Sequence, residues 1–391
     1  MKRFIAIIFV VMFALLMLVG CGSNGVDSNS SGETDTSSAS VAQTATSESD
    51  IVYELTMVAP DPTTGVDVRW WNAWRKYLYN ASDGRIIINE YTGGALVATG
   101  DELAAVQNGL ADMAKVDSEW AAGQIVFNEA VNLPGTVSWP AAMQSAQLQM
   151  ALYEEFESMQ NEWQGIKYLF PIYGGSTELM TTKQPVYTLD DAKGLNMLEI
   201  GTYASEAAKL LGMVPLSMSI TEQADALNKG IADGIELNYN ATYNFYSDSI
   251  KYCTQTGFVQ PSCAFVCINE NTLAALPDDL QELFDEEHMY DAMITINYLR
   301  DKGDIEHKQD LIDMGVEVYE LPEQELETWK EMVAPVRDMW IEDAGGDSAE
   351  IMERLLELTD DYLYDDTLAD EAEAILTEWE SLPIELPNAA E

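Results

Sequence analysis

Basic residues are scarce: nineteen Lys and Arg face sixty-seven Asp and Glu, for a formal net charge of -48. Nothing basic remains to track a phosphate backbone, which excludes nucleic acid as a partner. Histidine is limited to His288 and His307, set among acids such as Glu286, Glu287 and Glu306. They read as surface side chains, because a metal site or a catalytic base needs convergent partners. The chain has no Gly-Lys dipeptide and so no Walker A loop, no G-x-S-x-G elbow, no H-E-x-x-H and no EF-hand loop, so neither a cofactor nor a metal is expected. Cysteine is limited to Cys21, Cys253, Cys263 and Cys267. Cys263 and Cys267 share one strand-like run in which four residues put their sulfurs too far apart to bridge. Cys253 could pair with either, but the odd count beyond Cys21 favours buried free thiols.

What is there begins with an address. Met1-Lys2-Arg3 precedes an uncharged apolar run, Phe4 to Val19, the positive end and greasy core of a secretory signal. The run is shorter than the roughly 20 residues that span a bilayer, and it ends in Leu18-Val19-Gly20-Cys21, which resembles a bacterial lipobox. Residues 1–20 are therefore expected to be removed and Cys21 lipidated, anchoring an extracytoplasmic protein to the cell membrane; the competing reading is an uncleaved membrane helix. Residues 21–50, rich in Ser and Thr with little to bury, read as a flexible tether.

From residue 51 the composition is that of a globular chain, 47% hydrophobic overall, with material for one large or two medium domains. Periodicity predicts strands over 51–59, 85–91 and 111–116, with helices over 67–80 and 101–108 between them. Such alternation points to an α/β fold with a parallel, helix-covered sheet and a ligand crevice outside the carboxyl ends of its strands. A second block of the same kind predicts strands over 166–173 and 195–200 and helices over 205–211 and 221–229. One long helix is expected from Asp278 to about Met314, then the strand GVEVYEL and further helices. Residues 301–391 hold 29 acids and 5 bases, which reads as solvated helix surface.

Two stretches resemble a known family. GRIIINEYTGGALVATGDELAAVQNGLADMAKV, beginning at Gly84, is similar to the amino-terminal signature of the solute-binding proteins of TRAP (tripartite ATP-independent periplasmic) transporters, DctP type. Thr181 to Val186, Leu189 to Leu195, Gly212 to Leu216, Glu222 to Gly230 and Asp233 to Glu236 match further family segments in order. The resemblance implies a type II periplasmic-binding-protein fold: two α/β lobes, a hinge, a long lobe-spanning helix, and a cleft that closes on a small-molecule solute and delivers it to TRAP-type integral membrane permease subunits. The receptor would be a monomer and not an enzyme. It divides the chain into lobe I (51–170 plus about 256–300), lobe II with carboxy-terminal helices (171–255 plus about 301–364) and an acidic tail (365–391).

The family usually holds a ligand carboxylate with an arginine, whose planar guanidinium makes two parallel bonds to it. In Gly194-Leu195-Asn196-Met197-Leu198-Glu199 that position falls on Leu198 or Met197, and a second frequent arginine falls on Thr177 or Glu178. Arg69 alone among the arginines lies near an expected cleft loop, and it reads as a surface residue. Acid, amide and aromatic side chains collect at the expected cleft instead: Trp120, Tyr173, Glu178, Glu199, Tyr203, Glu236, Asn238 and Tyr243 as ligand-binding residues, with Glu119 and Asn240 beside them. Such a lining suits a neutral polyol or sugar-like solute, or an amine-bearing one. The alternative from another class is a surface-anchored carbohydrate-active enzyme using paired carboxylates.

Overall fold

Strands and helices alternate from Tyr53 onward. The first sheet region holds β1 (Tyr53–Val58), α1 (Gly65–Ala81), β2 (Ile86–Tyr91), α2 (Glu102–Gln107), β3 (Met113–Asp117), α3 (Ala142–Glu155), α4 (Glu157–Asn161) and β4 (Ile166–Tyr173). The second follows with β5 (Thr177–Thr181), α5 (Leu189–Ala192), β6 (Asn196–Leu198), α6 (Thr202–Leu210), β7 (Val214–Leu216), α7 (Ile220–Lys229), β8 (Gly234–Leu237), α8 (Tyr239–Tyr246) and β9 (Tyr252–Val259). The chain then returns through β10 (Cys263–Asn269), α9 (Glu270–Ala275) and α10 (Asp278–Gln281) to the long α11 (Glu286–Asp313), and ends with β11 (Glu317–Glu320), α12 (Glu323–Val333), α13 (Pro335–Ala344), α14 (Ser348–Leu358) and α15 (Asp366–Ser381). The computed structural model describes residues 51–383 apart from 61–64, 122, 138–140, 176, 200, 260–262 and 360–365. The export signal, the Cys21 anchor and the tether lie outside the described residues.

Two sheets form, in the orders β2-β1-β3-β10-β4 and β11-β9-β5-β8-β6-β7. They are mixed, where the alternating pattern predicted a parallel sheet. β10 runs antiparallel to β3 and β4, and β5 runs antiparallel to β8 and β9. The cause is the path of the chain, which leaves the first sheet after Tyr173 and the second after Val259. β5 and β10 are the strands that enter a sheet straight from the other one, so they start at the end where their neighbours finish. The carboxyl ends of β3, β4, β6, β8 and β9 therefore all border the crossing region, where a ligand crevice belongs.

Packing explains the elements that position this region. On α1, Trp70, Trp74 and Leu78 recur at four-residue spacing and are buried; the two indoles stack at 5.2 Å and the Trp70 Nε1–H donates to Thr295 Oγ1 of α11 at 2.9 Å. On α7 the Ser219 and Glu222 side chains form a capping box, and Gly230 closes the helix in the left-handed region at φ 68. The expected single helix from Asp278 to Met314 is broken: Asp285 is extended and its carboxylate accepts from the His288 amide, so α11 starts afresh there. Within the expected acidic tail, residues 366–381 form α15, whose Leu368, Ala372, Leu376 and Trp379 are buried. Cys253, Cys263 and Cys267 are buried and free.

Candidate functional site

The centre of the crossing region is set by strand register. β6 and β8 are parallel neighbours with Met197 opposite Gly234 and Leu198 opposite Ile235, so Glu199 and Glu236 occupy the next position, side by side at the carboxyl ends. Alternation puts both on the sheet face that carries Met197, opposite to Leu198. The two side chains hydrogen-bond to each other. Glu199 is 3% exposed, and Glu199 Oε1 and Glu236 Oε2 are buried with no hydrogen-bond partner outside the pair. Burial raises the Glu199 carboxyl well above the usual range, and the Glu236 charge beside it adds to the shift; burial raises Glu236 as well, while the bond from Glu199 holds it down. Glu199 thus keeps its proton and donates it to the Glu236 carboxylate.

The first sheet answers with more acid. Glu119 stands two residues past the end of β3 and accepts from the Cys263 amide at 3.3 Å. A Cβ placed on Gly201, just past Glu199, would lie 3.8 Å from Glu119 Cβ, so the exit of β3 and the entry of α6 touch across the crevice. Burial raises Glu119 to about 8, with Asp117 adding to it. Glu129 lies in the 3-10 turn Phe127–Asn132 and is raised to about 8 by burial and then by the charges of Glu119 and Glu162. Tyr203, on the first turn of α6, is nearly buried and its hydroxyl donates to Asp343 Oδ2 at 3.4 Å. Trp120 is half-buried at the end of β3.

Other residues expected at the site are engaged elsewhere. Tyr173 is fully buried; its amide donates to Asn297 Oδ1 at 2.8 Å and its hydroxyl to Gln149 Oε1 at 3.2 Å. Glu178 Oε2 accepts from the amides of Thr256 and Gly257 at 2.6 and 3.2 Å, stitching β5 to β9 near the point where their register shifts. Burial raises Glu178 to about 7, and those amides restrain the shift. Asn238 caps α8 by accepting from the Ala241 amide at 2.8 Å, and the Asn240 amide donates to Asp304. Tyr243 stacks on His307 at 4.3 Å.

Several cations are engaged with acids, while Lys308 donates to Gln255 Oε1 at 3.2 Å and lies over the Tyr239 ring. Arg69 pairs with Glu380, Arg85 with Asp279, Arg300 with Asp67 and Arg354 with Glu155. Lys115 is held by Asp117 at 2.9 Å. Leu198 and Met197, at the positions where the family arginine was sought, are core residues at 1% and 0% exposure. Among the described residues, no group of three or more His, Cys, Asp or Glu could hold a metal ion. Sequence reasoning named Glu199 and Glu236 separately but not as a hydrogen-bonded pair, although each stands next after a short apolar strand. Glu129 was missed, because a 3-10 turn leaves no periodic signal.

Residues 60–343 match the family described as bacterial extracellular solute-binding protein, family 7, DctP. A C4-dicarboxylate-binding periplasmic protein DctP from Rhodobacter capsulatus is 27% identical over 177 residues, 44% of this chain and 52% of that protein; the match spans about half the length of this relative. A marine metagenome TRAP solute-binding protein specific for aromatic acid ligands, in complex with 3-hydroxybenzoate, superposes with TM-score 0.74 at 18% identity, covering 80% of this chain and 100% of that one. A TRAP periplasmic solute-binding protein from Bordetella bronchiseptica with bound (R)- and (S)-mandelate gives TM-score 0.70 at 21% identity, covering 79% and 99%.

Proposed function

The chain belongs to the bacterial extracellular solute-binding protein family 7, and from that premise we propose that it is the extracytoplasmic receptor of a TRAP-type importer. It takes a small organic solute at the carboxyl strand ends between its two sheets and presents it to integral membrane permease subunits. The observation that carries the reading is the pair of strand crossings, β4 to β5 and β9 to β10, which together with the through-going α11 join the two sheets around a crevice. Such a layout supports hinge closure. The Leu18-Val19-Gly20-Cys21 run supports a lipid anchor for this receptor, and Cys21→Ser is expected to release it from the membrane. Among the described residues no helix is long and apolar enough to cross a membrane.

The chemistry of the crevice favours a solute unlike the acids named for its relatives. An unpaired carboxylate ligand would be buried against Glu119, Glu129, Glu199 and Glu236 without a guanidinium, at a cost of several kcal/mol. A solute that donates hydrogen bonds, polyol or amine, meets carboxyl groups at Glu199 and Glu236 instead, with Trp120 and Tyr203 beside it. The carbohydrate-active alternative fares worse: Glu199 and Glu236 bond directly to each other, whereas glycosidic cleavage needs carboxyl groups about 5 Å or more apart with the bond between them. A thermal-shift screen of the exported domain tests the reading. A solute at a hundred times its dissociation constant is expected to stabilise by about 2.7 kcal/mol, and chemical turnover of any hit would overturn the receptor.

A further inference from the structure

A second opening lies away from the crevice, and we infer that it binds a small uncharged aromatic molecule bearing an acceptor oxygen, of the aryl ketone, ester or ether class. It is a pocket of about 900 Å³ between α3, α9 and the start of α11, at the amino-terminal half of β4, the edge strand of the first sheet. That volume lies within the range of small-molecule sites. β4 contributes Ile166 to Leu169 to the wall. The crevice begins past Tyr173, four residues or about 13 Å further along the extended strand. The two openings thus belong to opposite ends of β4, and the second asks nothing of what the first takes.

Two observations select the ligand. The first is the wall, where Tyr153, Trp163, Tyr168, Phe284, Met289 and Met293 come together. The Tyr153 and Tyr168 rings stack at 4.4 Å, and Trp163 lies 5.1 Å from Tyr168. Flat rings and pliable thioethers suit an aromatic guest. The second is a pair of unmet donors. Trp163 and Tyr168 are 2% and 5% exposed, and the Trp163 Nε1–H and the Tyr168 hydroxyl are buried without a hydrogen-bond partner. Buried polar groups in native proteins are almost always satisfied, and an indole N–H can only donate, so what is missing is an acceptor. Both donors lie within the wall, and the half-buried Tyr153 ring, flat on Tyr168, is the one that swings aside to admit a guest.

Charge excludes the other classes. The acids of the lining are Glu154, Glu270, Asp285 and Glu286, and its one base, Lys167, donates to the Phe284 carbonyl oxygen at 2.7 Å. An anion would face four acids against a single committed lysine. An ammonium would bring more donors to a wall that already lacks acceptors. An acceptor oxygen on an uncharged ring meets both conditions.

The test is methyl NMR of the exported protein labelled at its methionine methyls, each signal assigned by its leucine substitution. The probes are acetophenone, toluene as a ring without an acceptor, and benzoate and phenethylamine as charged counterparts. Acetophenone is expected to shift Met150, Met289 and Met293, which line the pocket, and to leave Met197, on β6 beside the crevice, unmoved. Y168F keeps the ring and removes the hydroxyl. It is expected to weaken acetophenone about fivefold, the worth of one hydrogen bond, and to leave toluene unchanged. Its melting temperature should equal or exceed that of wild type, because an unpartnered buried group has been deleted. A lower melting temperature would show that the hydroxyl already has its partner, and overturns the proposal. Shifts at Met197 without shifts at the pocket methyls would put the probe in the crevice and overturn the second site while the receptor reading stands. Equal affinity for acetophenone and toluene, a preference of the pocket methyls for either charged probe, or no shift at any methyl overturns it as well.

Discussion

Asp301 and Asp304 stand one helical turn apart on α11 and hold the amino ends of two helices that flank different sheets. The Asp301 carboxylate accepts from the amides of Ala142 and Met143 at the start of α3, and Asp304 Oδ1 accepts from the Asn240 amide at the start of α8 at 2.7 Å. Asp304 also receives the amide of Gly175, on the connection between β4 and β5. Between them Gly303 lets α1 and α8 approach: a Cβ there would lie 2.9 Å from Val66 Cγ1 and 3.3 Å from Asn240 Oδ1. One turn of α11 is thus the point where both halves of the molecule are pinned to a common rod.

Removing either cap should cost stability without touching solute chemistry. Asp301→Ala and Asp304→Ala each delete a helix cap and leave buried amides open, a loss of about 1–3 kcal/mol apiece. Chemical denaturation is the measurement, and a loss under about 0.5 kcal/mol would show that solvent replaces the carboxylates.

Stability should fall as pH rises through neutrality. Burial, offset in part by their amide partners, raises Glu178, Asp301 and Asp304 to about 7, and Glu119 and Glu129 reach about 8. Because these folded-state values exceed the ordinary carboxylate values of about 4, the folded chain binds more protons than the unfolded chain between about pH 4 and 8. Their contribution is complete below about pH 4 and is lost as pH rises through 7 and 8. Asp279 and Asp285, lowered chiefly by bonds from Arg85 and the His288 amide, act oppositely and are lost on acidification. The melting temperature at constant ionic strength should therefore peak on the acid side and decline from pH 5 to pH 9; a steady rise over that interval contradicts the assignment.

Trp379→Ala should be severely destabilising although it lies within a segment that the composition made a tail. Trp379 is 3% exposed and stacks on Tyr77 of α1 at 4.8 Å. Emptying such a site costs about 3–5 kcal/mol. A change of a few tenths would mean that α15 is dispensable.

The thiols should be silent until the chain unfolds. Burial pushes Cys253 and Cys267 up to about 12 and holds Cys263 well above the usual thiol range, so neither a thiolate nor access is available to a reagent. Titration of the protein released by Cys21→Ser with an aromatic disulfide is expected to find no fast-reacting thiol when folded and three after denaturation. One thiol after denaturation would mean that Cys253 is bridged.

Much of this molecule is written in local pattern. Four-residue spacing of Trp70, Trp74 and Leu78, the Ser219/Glu222 box and the Gly230 stop are short-range devices, and they sufficed for the alternating elements and for two α/β blocks. The absence of an arginine near residue 198 and the presence of an acid at each of Glu199 and Glu236 were also legible, because both are statements about residue type in a local segment. Strand direction was not, since β5 and β10 run against their neighbours only because the chain crosses from one sheet to the other, a fact of path and not of periodicity. Nor could composition tell which acids are held by backbone amides. Glu178 looked like a cleft carboxylate until the Thr256 and Gly257 amides, 78 and 79 residues away, were found on it. Glu199 gained its partner only through the register of β6 with β8. Side-chain chemistry is a property of one residue, but burial and pairing belong to residues brought together from distant parts of the chain, so tertiary structure alone decided which carboxylates bond to backbone amides and which meet each other at the strand ends.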